Sequence, residues 1–178
     1  MAGIIKVNQY QDFNGNTLFT SDGNGNLTTQ NLMYPAFEAR LSADQSVGDA
    51  VATKGEFDTE VLDTDNCYDN TTNYRFTPTV AGKYFVYGCI MNDAQANTQL
   101  AYGQTNIYKN GSDYRKMQTY FSGNYARRTS ILTTAIINMN GTTDYLELYG
   151  TANDTSGTPI FGGANNESYF GAYRIIGA

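Results

Sequence analysis

The chain contains no histidine and no tryptophan, only two cysteines and only three prolines. The missing histidine removes the commonest general base and the commonest neutral metal ligand. Cys67 and Cys89 stand far apart in sequence, with no C-x-x-C pair for zinc and no imidazole to activate a thiolate. Two reduced, buried thiols are expected, a disulfide between them being the alternative. Positive charge is also scarce: 11 Lys and Arg stand against 17 Asp and Glu, a net charge of −6. No basic stripe exists for a phosphate backbone, so no nucleic-acid binding is expected. No apolar run reaches the roughly 18 residues of a spanning helix, so no membrane insertion is expected. The opening MAGIIKVNQ turns polar too early for a secretory leader, and none is expected.

What the chain does have points to sheets. Its 22 Thr and 15 Tyr suit a pleated, half-buried surface, while 18 Gly and 19 Asn suit the turns between strands. No segment sustains a helical period, and residues 94–100 are the only stretch that suggests a helical turn. Short strand-like runs recur at intervals of roughly ten residues, the pattern of a sandwich, barrel or jelly roll. Phe37, Ala39 and Leu41 alternate with polar residues, as does the run from Tyr145 to Tyr149. Residues 83–91 are apolar almost throughout, as in a central strand covered on both faces. Asn14-Gly15, Asn110-Gly111 and Asn140-Gly141 mark tight turns.

The segment Asp22-Gly23-Asn24-Gly25-Asn26 invites comparison with a calcium loop. It supplies oxygen ligands at the first, third and fifth positions. Leu27 then stands where the loop needs its glycine, and Met33 where it needs a bidentate glutamate. A turn in a small meander is the simpler reading. That meander carries too few apolar residues to be stable alone. Residues 1–33 are therefore expected to form an N-terminal β-hairpin or meander arm that docks through Ile4, Ile5, Val7, Leu18, Phe19 and Leu27. Residues 34–178 form the main domain, beginning near Pro35.

The run from Tyr74 through Arg75, Phe76, Thr77, Pro78, Ala81 and Gly82 to Lys83-Tyr84-Phe85 resembles the centre of the complement-type globular head. That family shares its jelly roll with tumour necrosis factor. Phe37-Glu38-Ala39 is similar to its first strand, and Asn140-Gly141 followed by Asp144-Tyr145-Leu146 to its turn-Gly-Asp-strand segment. Tyr169-Phe170-Gly171-Ala172-Tyr173 is similar to its aromatic-x-Gly closing strand. Thr142-Thr143 is an insertion, and no collagen repeat precedes the domain, which argues against a complement-type role. The resemblance implies an all-β jelly-roll β-sandwich. It also implies a homotrimer around a three-fold axis, with aromatic side chains packed between subunits. Tyr84, Tyr87, Tyr149, Tyr169 and Phe170 are the candidates for trimer or core packing. Some heads of this family carry an ion near the three-fold axis, but no residue here matches a calcium motif that the family would transfer, so no metal or cofactor is assigned.

The N-terminal stretch Ile5-Lys6-Val7-Asn8, with Gly15 to Phe19 and Asp22 to Leu27, resembles the starts of bacteriophage fibre and decoration proteins. There a short β arm docks the protein onto the particle. This resemblance implies a non-enzymatic structural virion protein with other virion proteins as partners. The alternative is an adhesin module for a host surface glycan or protein. Residues 112–128 are the candidate receptor-facing loop, with Tyr114, Arg115, Tyr120, Phe121, Tyr125, Arg127 and Arg128. Aromatic faces suit sugar rings, and arginine suits acidic sugars. A catalytic reading would need two carboxylates across a cleft. Asp144 and Glu147 point to opposite faces of a strand by their odd spacing, and Asp63 and Asp65 suit a turn. No catalytic residues are assigned.

Overall fold

The computed structural model describes residues 7–29, 35–155 and 157–175. The chain divides into two compact units, Met1–Leu32 and Met33–Ala178. Ile4, Ile5 and the expected boundary at residues 33 and 34 lie outside the described residues, as does the side chain of Leu27.

The first unit is an antiparallel meander of β1 (Gln9–Gln11), β2 (Thr17–Ser21) and β3 (Leu27–Thr29). Its two turns are built alike, as Asp-x-Asn-Gly-Asn. The Asp12 carboxylate accepts hydrogen bonds from the backbone N–H of Asn14 and Asn16 and from the Asn16 side chain. The Asp22 carboxylate accepts the equivalent three from Asn24 and Asn26, at 2.7–3.1 Å. A backbone bond closes each loop, Asp12 N–H to Asn16 O and Asp22 N–H to Asn26 O, and the first loop adds Gly15 N–H to Asp12 O. Gly15 and Gly25 take positive φ. The Asn14-Gly15 signal thus marks a turn, but a longer one, organised by the preceding aspartate. Tyr10 stacks on Phe19 with ring centroids 4.5 Å apart. Val7, Phe13 and Leu18 are exposed.

The second unit begins with β4 (Ala36–Arg40), β5 (Gln45–Ser46), β6 (Thr53–Lys54), β7 (Thr59–Asp63), β8 (Tyr68–Asp69) and β9 (Arg75–Phe76). The longer strands follow: β10 (Gly82–Asp93), β11 (Leu100–Lys109), β12 (Ser112–Tyr120), β13 (Arg128–Met139) and β14 (Leu146–Asp154). β15 (Ile160–Phe161) and β16 (Tyr169–Arg174) close the chain. One sheet runs β7-β4-β16-β10-β13, with β15 on the far end of β10 and β5 beside it. The other runs β8-β9-β14-β11-β12, with β6 on β14. All the strand pairs are antiparallel. This is an all-β jelly-roll sandwich, the fold class the sequence implies.

Apolar alternation fills the space between the sheets. On β13, Ile131, Thr133, Ala135, Ile137 and Met139 are buried, while the intervening residues are exposed. Phe37 on β4 is an aromatic hub, stacked on Phe76 at 4.4 Å and Tyr68 at 4.7 Å and meeting Phe170 edge-on at 5.0 Å. Tyr84 is fully buried, and its hydroxyl donates to Val80 O at 2.7 Å. Cys67 and Cys89 are both free and buried, the first of the two alternatives above.

Two expectations are corrected. Residues 94–100 form no helical turn, because Gln95 (φ 61) and Thr98 (φ 60) take left-handed backbone angles that break one. Among the described residues the helical turn is instead a three-residue 3-10 element, Ala164–Asn166. Residues 112–120 are not a loop but the edge strand β12, paired with β11 over its whole length. An edge strand exposed to water need not alternate in polarity, so it carries little of the usual signal.

Candidate functional site

The register of the first sheet places side chains in rows on its outer face. Phe85 on β10 lies between Ile136 on β13 and Tyr173 on β16. Tyr87 lies between Thr134 and Gly171, with Glu38 of β4 next in the row. Cys89 lies between Leu132 and Tyr169. The rings form a continuous layer: Phe85 to Tyr173 at 5.5 Å, Phe85 to Tyr87 at 6.1 Å and Tyr87 to Tyr169 at 6.3 Å. Leu132 and Ile136 extend it while 52% and 58% exposed. Two large aliphatic side chains so exposed beside four rings make a patch, not scattered surface apolars.

Glycine builds part of this face. A Cβ on Gly171 would stand 2.4 Å from the Tyr87 ring, so only glycine lets that ring lie flat across β16. The Tyr87 hydroxyl then donates to Glu38 Oε2 at 2.6 Å. Burial, and next the Glu38 contact, push the Tyr87 phenol pKa well above its ordinary value. Burial likewise raises the Cys89 thiol pKa, which favours the protonated form.

The five trimer-or-core candidates therefore separate. Tyr84 and Phe170 are fully buried in the sandwich core. Tyr87 and Tyr169 belong to the aromatic outer face. Tyr149 lies on the opposite sheet, stacked on Tyr108 at 4.0 Å. The sequence reading missed Phe85, Leu132, Ile136 and Tyr173. The period-two alternation of Phe85, Tyr87 and Cys89 was the available signal, hidden because the alternate positions Tyr84, Val86 and Ile90 are apolar too.

The candidate receptor-facing residues also separate. Tyr114 and Tyr120 sit six positions apart on β12, about 20 Å at the usual rise per residue. Tyr114 donates its hydroxyl to Ile136 O at 3.4 Å, and Arg115 is exposed on the same strand. Arg127 pairs with the buried Asp93 at 3.4 Å, and Arg128 with Glu167 at 3.6 Å. Only Tyr120, Phe121 and Tyr125 come together. With Tyr102, Ser122 and Asn153 they line a recess of about 420 Å³. The segment carrying them is tied down at both ends, by Phe121 N–H to Ala101 O and by paired bonds between Ala126 and Leu100. The Phe121 ring packs on the small apolar cluster of Ala94, Leu100 and Ala152.

The acidic pairs weighed above hold structure together. Glu147 is buried and bonded to Lys54 Nζ at 3.0 Å. Asp144 accepts from Lys109, Asn110 and the Asn140 N–H, joining two hairpin turns. Asp63 accepts backbone N–H groups of Asp65, Cys67 and Tyr68, closing the turn expected for it.

No protein-family model matches the chain, and no curated protein matches it in sequence. Solved structures do match in fold. Murine APRIL superposes with a TM-score of 0.55 at 11% identity, over 79% of this chain and 98% of that one. The globular domain of zebrafish complement 1qA gives 0.54 at 13% identity, over 79% and 96%. Eiger TNF from S. frugiperda gives 0.53 at 13% identity, over 80% and 93%. The jelly roll is thus of the tumour necrosis factor and complement-head type. At these identities the likeness is one of fold.

Proposed function

We propose that the chain is a non-enzymatic structural protein of a bacteriophage virion. Its jelly-roll head forms a homotrimer, and its N-terminal meander docks the head to other virion proteins. The observation that carries the trimer is the outer face of the β4-β16-β10-β13 sheet. Tyr87, Phe85, Tyr169 and Tyr173 form one layer there, extended by the exposed Leu132 and Ile136. Such a face loses water-exposed apolar area when a second copy covers it, and Tyr and Phe give large contact areas at small entropic cost. The trimer implied by the family resemblance uses aromatic packing of this kind.

Support for the arm comes from its self-contained turns and exposed apolar residues. Asp12 and Asp22 fix the loops internally, which leaves Val7, Leu18 and Phe13 free to meet a partner. Removing residues 1–31 is expected to leave a folded trimeric head that no longer incorporates into particles. Co-sedimentation of the truncated head with virions, at the level of the full chain, would overturn the docking role.

A further inference from the structure

We propose that the recess between β11, β12 and residues 121–125 binds a neutral pyranose unit of a polysaccharide. This goes beyond the assembly reading and does not depend on it. Tyr102 and Tyr120 face one another across the strand pair, their ring centroids 5.2 Å apart and tilted by 52°. Tyr120 is 69% exposed and Tyr125 41%, an unusual display for rings with neighbours to pack on. Phe121 closes one side while anchored in the core beneath. A pyranose presents a face of C–H groups with slight positive charge, which matches the negative face of an aromatic ring.

The polar groups fit hydroxyls rather than ions. The phenol hydroxyls of Tyr102, Tyr120 and Tyr125 make no hydrogen bond among the described residues, and each both donates and accepts. Asn153 is held in place by its amide nitrogen donating to Asp49 Oδ1 at 3.1 Å. Its carbonyl oxygen remains available to a ligand hydroxyl. No charged side chain lines the recess.

Charge decides against the acidic sugars suggested by the basic residues nearby in sequence. Arg127 and Arg128 are paired with Asp93 and Glu167 and lie outside the recess. The charge adjoining it is the Asp49 carboxylate behind Asn153, which repels an anion. The same carboxylate and the net charge of −6 disfavour a nucleic-acid base on its phosphate backbone.

The test uses the full-length protein and saturation-transfer NMR. The probes are cellohexaose, maltohexaose, mannohexaose, chitohexaose and hexagalacturonate. At least one of the four neutral probes should receive saturation, with a Kd of roughly 0.1–1 mM for so open a site. Tyr120→Ala, with unchanged circular dichroism and melting temperature, should weaken that binding about tenfold. Tyr125→Phe keeps the ring and should weaken it by a smaller factor, through the lost hydroxyl alone. Three results would overturn the proposal: no neutral probe binding at about 5 mM, hexagalacturonate binding alone, or equal binding to the folded Tyr120→Ala variant.

Discussion

Single carboxylates fix much of the loop structure. Asp12 and Asp22 each accept three hydrogen bonds within their own five-residue turns. Asp69 repeats the scheme, accepting from Thr71, Thr72 and both nitrogens of Asn73. The lone pairs that a calcium reading of Asp22 would require are thus directed at N–H groups. Side-chain hydrogen bonds from Asn16 and Asn26 lead the causes that lower the Asp12 and Asp22 pKa values, and backbone bonds assist. A depressed folded pKa gives stability that is present above the unfolded value and lost as pH falls through the folded one. Amide exchange protection at Asn24 and Asn26 should therefore hold near neutral pH and fall once pH drops below about 4. Protection unchanged at pH 2 would show that the carboxylates do not hold these turns. Gly171 supplies a second test at this scale. Gly171→Ala should cost about 1–3 kcal/mol in chemical denaturation, because a methyl group displaces the Tyr87 ring.

The strands divide into those that make the core and those that present a surface. Phe37 on β4 touches three aromatic partners and is fully buried. Phe37→Ala should cost about 3–5 kcal/mol, measured by urea denaturation. Ile136 on β13 is apolar but more than half exposed. Ile136→Asp should change the stability of the isolated head by about 1 kcal/mol or less, yet abolish its assembly. Equal losses of stability from the two variants would place Ile136 in the core instead. The sequence made the strong strands legible. Residues 83–91 lie within β10, and the alternating run from Tyr145 to Tyr149 marks the start of β14, which continues to Asp154. The edge strand β12 was not legible, because its polarity follows solvent rather than a buried face. The two-residue strands β5, β6 and β15 were also beyond reach, since their pairing depends on partners remote in the chain. Of the candidate site residues, Tyr120, Phe121 and Tyr125 do share a recess. Its other aromatic wall, Tyr102, comes from β11, some twenty residues earlier, which only the strand pairing brings alongside.

At the scale of the molecule, the proposed trimer would cover the aromatic sheet face and bring three recesses together in one assembly. Weak single contacts to a polymer with many repeats would then sum to useful avidity. Light scattering coupled to size exclusion on the full-length protein tests the trimer most directly. The expected mass is three times the 19.6 kDa of the chain, falling to one chain mass for Ile136→Asp. A monomer at micromolar concentration for the unaltered protein would contradict it.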